Sequence, residues 1–155
     1  MTKLPRIVAI ISVVVGALLI VAGAVTYYLV HSELSDEHIV VSDDADRLAG
    51  KDVEGPLTAY SEAEVIQKHA LEAGGGKTYA ELPQDDPKRD TVMTASFLRS
   101  SLFTSVVAFG VAALVVGLGV MFILFGLALM GLLRRLDQGV AGPTPIDGET
   151  GYAIT

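Results

Sequence analysis

The chain has 155 residues, no cysteine and a net charge of −7. Missing cysteine excludes disulfides, thiolate metal sites and cysteine nucleophiles, and the acidic balance argues against nucleic acid, whose phosphates need Lys and Arg. Hydrophobic residues make up 51% and the mean hydropathy is +0.52, too apolar for an ordinary water-soluble domain of this length.

Residues 1–6 carry Lys3 and Arg6 and read as a short cytoplasmic N-terminus. Residues 7–30, IVAIISVVVGALLIVAGAVTYYLV, hold no charge. As a helix this run is ~36 Å long, against a hydrocarbon core of ~30 Å, so it can span a bilayer with modest tilt. Tyr27 and Tyr28 stand near its end, where amphipathic rings favour the headgroup level. A competing reading makes this run a signal peptide cleaved at AGA, residues 22–24. The apolar run continues past that point to Val30, which favours a retained span.

Residues 31–104 follow as a polar segment with fifteen Asp and Glu against seven Lys and Arg. HIVV at 38–41 has the composition of a short strand, and SDDAD after it reads as a turn. EGP at 54–56 reads as a breaker. Ser61 and Glu64 form the S-x-x-E pattern of a capping box, and apolar residues then recur at helical spacing. The spacing predicts a helix over 62–73 that stops at Gly74, Gly75 and Gly76, where a left-handed backbone costs glycine little. Asp86, Pro87 and Asp90 are start signals for a further helix. No breaker follows, so one helix is predicted over 87–133, with a second charge-free span over 105–133. Arg134 and Arg135 follow it directly, so both termini read as cytoplasmic and the 31–104 segment as extracytoplasmic. Residues 134–155 are rich in Gly and Pro and read as a flexible tail. The fold class is therefore mainly α: a two-span transmembrane helical hairpin with a small, partly helical extracytoplasmic segment.

Candidate chemistry is sparse. Gly76-Lys77-Thr78 is how a phosphate-binding loop ends, but the position five before Gly76 is Leu71 rather than glycine. The motif also follows a helix instead of a strand, so no nucleotide is expected. His31, His38 and His69, with Asp43, Asp44, Asp46 and Glu72, could in principle supply two histidines and a carboxylate for a metal. Their spacings match no metal motif, and DDAD lacks the glycine and distal glutamate of a calcium loop. No catalytic, cofactor or metal residue is assigned. The spans themselves carry no ionisable group besides the two tyrosines, which argues against a self-contained transporter or pump. They are rich in small residues instead. Gly16 and Gly23 are seven apart, as are Gly110 and Gly117, and Gly119 and Gly126; Ser12 and Gly16, and Ala113 and Gly117, are four apart. Small residues on one stripe let helix backbones approach closely, so the six glycines are helix-packing candidates, between the two spans or toward other subunits.

KHALE, GGKTYAEL and ASFLRSSLFTSVVAFGVAALV, within a stretch covering most of residues 5–130, resemble a family of small actinobacterial membrane proteins commonly labelled aromatic ring-opening dioxygenase, LigA. The resemblance implies two membrane spans and an external loop. The label implies an enzyme subunit, with iron held on a partner, but no residue here matches an iron motif. Three functional readings follow. The first is a non-catalytic accessory or scaffolding subunit that binds other envelope or respiratory membrane proteins. The second is a dioxygenase-type enzyme subunit with His38 and His69 among metal ligands. The third is a sensor signalling through the tail.

Overall fold

The computed structural model describes residues 3–140. Most of the predicted tail, residues 141–155, lies outside the described residues. Three helices follow in order: α1 (Lys3–Asp36), α2 (Pro56–Gly74) and α3 (Arg89–Val140). Both α1 and α3 are long and apolar enough to cross a membrane. Of the most apolar window of each, 22% and 17% is buried within the chain, far less than in the core helix of a water-soluble protein.

Each long helix overruns its charge-free stretch. α1 continues beyond Val30 to Asp36, and α3 beyond Leu133 to Val140. At α3's start, Asp86 acts as a cap: its Oδ1 accepts the Lys88 N–H at 2.9 Å, and its carbonyl accepts the Arg89 N–H at 3.0 Å. Pro87 and Lys88 form that turn, so the helix begins at Arg89 rather than Pro87.

α1 and α3 pack antiparallel with their backbones in contact. Gly16 faces Gly119, Gly23 faces Ala112 and Val116, and Gly126 faces Ala9 and Val13. A Cβ placed on Gly16 would lie 2.5 Å from the Gly119 carbonyl oxygen, and one on Gly119 would lie 2.6 Å from that of Gly16. The buried positions Ala9, Gly16 and Gly23 recur every seven residues, as do Ala112, Gly119, Gly126 and Leu133. That is the repeat of a left-handed coiled pair. Arg6 pairs with Asp137 at the end holding the N-terminus.

α2 begins earlier than the capping-box pattern places it. Gly55 is the N-cap and Pro56 the first helical residue; the Thr58 hydroxyl accepts the N–H groups of Glu54 and Gly55, both at 3.2 Å. The EGP breaker is thus a start signal, because glycine and proline end what precedes a helix as readily as they open it. Ser61 lies inside α2, where its hydroxyl donates to the Arg47 carbonyl at 2.6 Å. The predicted stop is observed. Gly75 and Gly76 have φ of 68° and 82°, and the Gly76 N–H reaches back to the Leu71 carbonyl at 2.7 Å.

Residues 37–55 fold as a clip over α2 and the ends of the long helices. The HIVV segment contributes a single antiparallel bridge, Val40 with Asp52, rather than a full strand. Val41 donates to Lys51 and Val53 to Ile39, each at 2.8 Å. This turns Val41 and Val53 inward, where they form one core with Leu34 of α1, Ala59 and Ala63 of α2, and Leu102 and Phe109 of α3. Within it the Phe109 ring meets that of Tyr27 at 4.8 Å between centroids.

Candidate functional site

Two regions could act on something outside the chain: the glycine seam between α1 and α3, and the module of clip, α2 and loop at one end of it. Of the six candidate glycines, the structure brings Gly16, Gly23, Gly119 and Gly126 into the seam. Gly110 and Gly117 lie elsewhere, with no atom within 4 Å of an added Cβ. Ser12 is buried beside Gly16, whereas Ala113 is exposed beside Gly117. Two glycine faces therefore exist on α3, one occupied by α1 and one open. A shallow apolar crevice lined by Gly23, Ala24, Tyr27, Ala112, Ala113 and Val116 runs along the seam's edge.

In the module, the three histidines separate. The ring of His31 donates from Nδ1 to the Glu54 carbonyl at 2.6 Å, since a carbonyl can only accept. His38 sits in the left-handed region at φ 52° after α1 ends. His69 donates from Nε2 to Asp44 at 2.9 Å, alongside Lys68 Nζ at 3.0 Å. Those two hydrogen bonds, Lys68's first, hold the Asp44 carboxyl at about 2, below its ordinary 3.8. The same contact raises Lys68. Asp43, Asp46 and Glu72 do not join them. Among the described residues no three His, Asp or Glu side chains gather as a metal site.

A cleft of 630 Å³ between clip and α2 is lined by Asp44, Asp46, Arg47, Tyr60, Glu64 and Lys68, among others. Asp44 pairs with Lys68 there, and Glu64 beside Tyr60 pushes its phenol up. Glu62, whose residue is 7% exposed, accepts the Ser42 N–H at 2.8 Å and the Ser42 hydroxyl at 3.1 Å. It fastens clip to helix. No sequence spacing marks this pair, because its partners are twenty residues apart.

The GGGKTYAEL stretch is a fixed loop. Thr78 donates its N–H and its hydroxyl to Glu81 Oε2, both at 2.8 Å, and the N–H bond leads in lowering that carboxyl. Arg89 stacks over the Tyr79 ring at 4.1 Å and donates to the carbonyls of Tyr79 and Leu82. Leu82 is buried, and Gly74 lets α2 close onto Val92 of α3, where an added Cβ would sit 3.3 Å away. The loop, α2 and α3 frame a second, half-open cavity of 260 Å³, lined in part by Leu71, Lys77, Val92, Ala95 and Arg99. Reading residues alone misses it, since its walls come from three separate segments. Comparison with protein-family models, curated proteins and solved structures finds no match, so both regions are read from their geometry.

Proposed function

We propose that the chain is a non-catalytic two-span membrane protein, an accessory or scaffolding subunit that binds other envelope or respiratory membrane proteins. In this reading residues 7–30 and 105–133 cross the cell membrane, both termini lie in the cytoplasm, and residues 31–104 lie outside. The resemblance to the two-span actinobacterial family accords with it.

The observation that carries the reading is the seam. The charge-free stretches of two helices meet through glycine, so their large side chains point away from each other. Leu18 and Val21 of α1 and Leu114, Leu124 and Phe125 of α3 are each at least 60% exposed. A surface so continuous in apolar groups is suited to lipid or to other helices, not to water. On the outer side of α3, Gly110 and Gly117 leave room for a further helix to approach closely. Lys3, Arg6, Arg134 and Arg135 sit at one end of the pair, as the positive-inside bias requires.

A chain without cysteine makes topology easy to measure. In intact cells a membrane-impermeant maleimide labels Asp85→Cys and not Lys3→Cys; the reverse pattern overturns the orientation. Purification in mild detergent recovers the chain with other membrane proteins, and Gly117→Leu loses them without lowering the chain's own thermal midpoint. Consistent recovery of the unaltered chain as an isolated monomer would overturn the scaffolding reading.

A further inference from the structure

The 260 Å³ cavity has a charge pattern unlike the segment that contains it. Residues 31–104 hold fifteen acidic side chains against seven basic ones, yet no carboxylate lines this cavity, while Lys77 and Arg99 both do. Neither cation has a carboxylate within 4.0 Å among the described residues. Arg99 Nε is buried with no hydrogen-bond partner, the one such side-chain atom among the described residues. The guanidinium carbon lies 5.0 Å from the centre of the Phe103 ring, so this charge at the cavity wall meets an aromatic face and no acceptor. The rest of the wall is mostly apolar, with Ala70, Leu71, Val92 and Ala95 from the facing helices. The loop carrying Lys77 is already held by Gly75, Gly76, Glu81 and Arg89, so binding there orders little new structure.

We propose that this cavity binds a small organic anion: a single carboxylate or phosphate head against Arg99 and Lys77, with a short apolar body against Ala70, Leu71, Val92 and Ala95. The volume lies below the ~300 Å³ at which drug-sized pockets begin, so the covered part of the body is a short chain or one ring. Such a head could belong to a lipid or to a solute. Position favours the solute. Ala95 lies fourteen residues, or ~21 Å of helix, beyond Phe109, which stands level with Tyr27. With the tyrosines at headgroup level, the cavity stands well out in water. That preference for a solute rests on the membrane reading; the cavity and its cations do not.

The test uses the full chain in detergent micelles and in neutral-lipid nanodiscs, with methyl NMR on Ala70, Val92 and Ala95. Hexanoate produces saturable shifts at these methyls, while hexan-1-ol, with the body alone, and inorganic phosphate, with the head alone, bind about tenfold more weakly or worse. Lys77→Gln, at an exposed position outside the core, and Arg99→Gln each weaken hexanoate about tenfold. Ala95→Leu fills the cavity and abolishes the shifts with the thermal midpoint kept. Equal binding of hexanol and hexanoate, or hexanoate binding indifferent to both charge substitutions, overturns the proposal, as does absence of saturable shifts. Phosphatidylglycerol nanodiscs that displace hexanoate assign the head to a lipid and overturn the solute. Failure of the maleimide topology leaves the micelle result standing, so the two readings fail separately.

Discussion

At the scale of single residues, the module depends on two carboxylates with different surroundings. Asp44 is exposed, and its carboxyl is held at about 2 by the Lys68 hydrogen bond first and the His69 hydrogen bond second. A depressed folded value means that the contact contributes fully above the unfolded value of 3.8 and is lost as pH falls through about 2. Protection of α2 amides, taken relative to their intrinsic exchange rate, therefore falls between about pH 4 and pH 2 in the unaltered chain, and Asp44→Asn flattens that part of the profile. An unchanged slope in the variant sets Asp44 aside as the cause. Glu62 is the buried one. Glu62→Ala strips both acceptors from Ser42 and costs ~1.5–3 kcal/mol, read as a drop in unfolding free energy in detergent. A loss under ~0.5 kcal/mol would show that water serves Ser42 as well. Neither role is visible along the chain. Asp44 is one of three acids in SDDAD, and Glu62 follows the serine of an apparent capping box. What selects them is distance in the folded state, and the clip that sets it closes through contacts about twenty residues apart in sequence.

At the scale of elements, the glycines explain how much the sequence reveals. Seven-residue spacing identifies two glycine pairs on α3 but not which of them meets α1. Gly117 and Gly119 are two residues apart, ~200° around a helix, so both pairs cannot face one neighbour. The structure selects Gly119 and Gly126. Their series runs back through Ala112 and Ser105, small at every step, whereas the series of Gly110 and Gly117 runs into Phe103 and Leu124. A long close approach needs the first series. Gly16→Ala or Gly119→Ala forces a methyl to within 2.5–2.6 Å of a facing carbonyl, so the helices must separate. The cost is ~1–3 kcal/mol in detergent unfolding. Gly110→Ala and Gly117→Ala meet nothing and are neutral or stabilising by up to ~1 kcal/mol. Equal effects from all four would show that the seam is not what holds α1 to α3. The boundaries were legible where one residue has one meaning, as at the triple glycine that ends α2. They were not where a signal has two, as at Gly55-Pro56.

At the scale of the whole molecule, the module and the helix pair share one core. Val41 and Val53 of the clip, Ala59 and Ala63 of α2, Leu34 of α1, and Leu102 and Phe109 of α3 belong to a single cluster. The clip and α2 by themselves supply only small or β-branched side chains to it. Leucine and phenylalanine come from the long helices. A segment of this size buries too small a fraction of its surface to stand alone without staples, and this one has no cysteine to provide them. Residues 37–90 expressed alone are accordingly expected to give a collapsed amide spectrum and fast exchange at Val41 and Val53. The same amides, bonded to Lys51 and Ile39, are protected in the full chain. It follows that damage to the seam travels. Gly16→Ala touches nothing in the module, yet by loosening α1 against α3 it displaces Leu34 from Leu102 and lowers protection at Val41. Loss of protection confined to the spans, with Val41 unaffected, or a dispersed spectrum from the isolated segment, would make the module a separate domain tethered to its helices. Shared loss would mean that a change in how the long helices pack reaches the module through its own core.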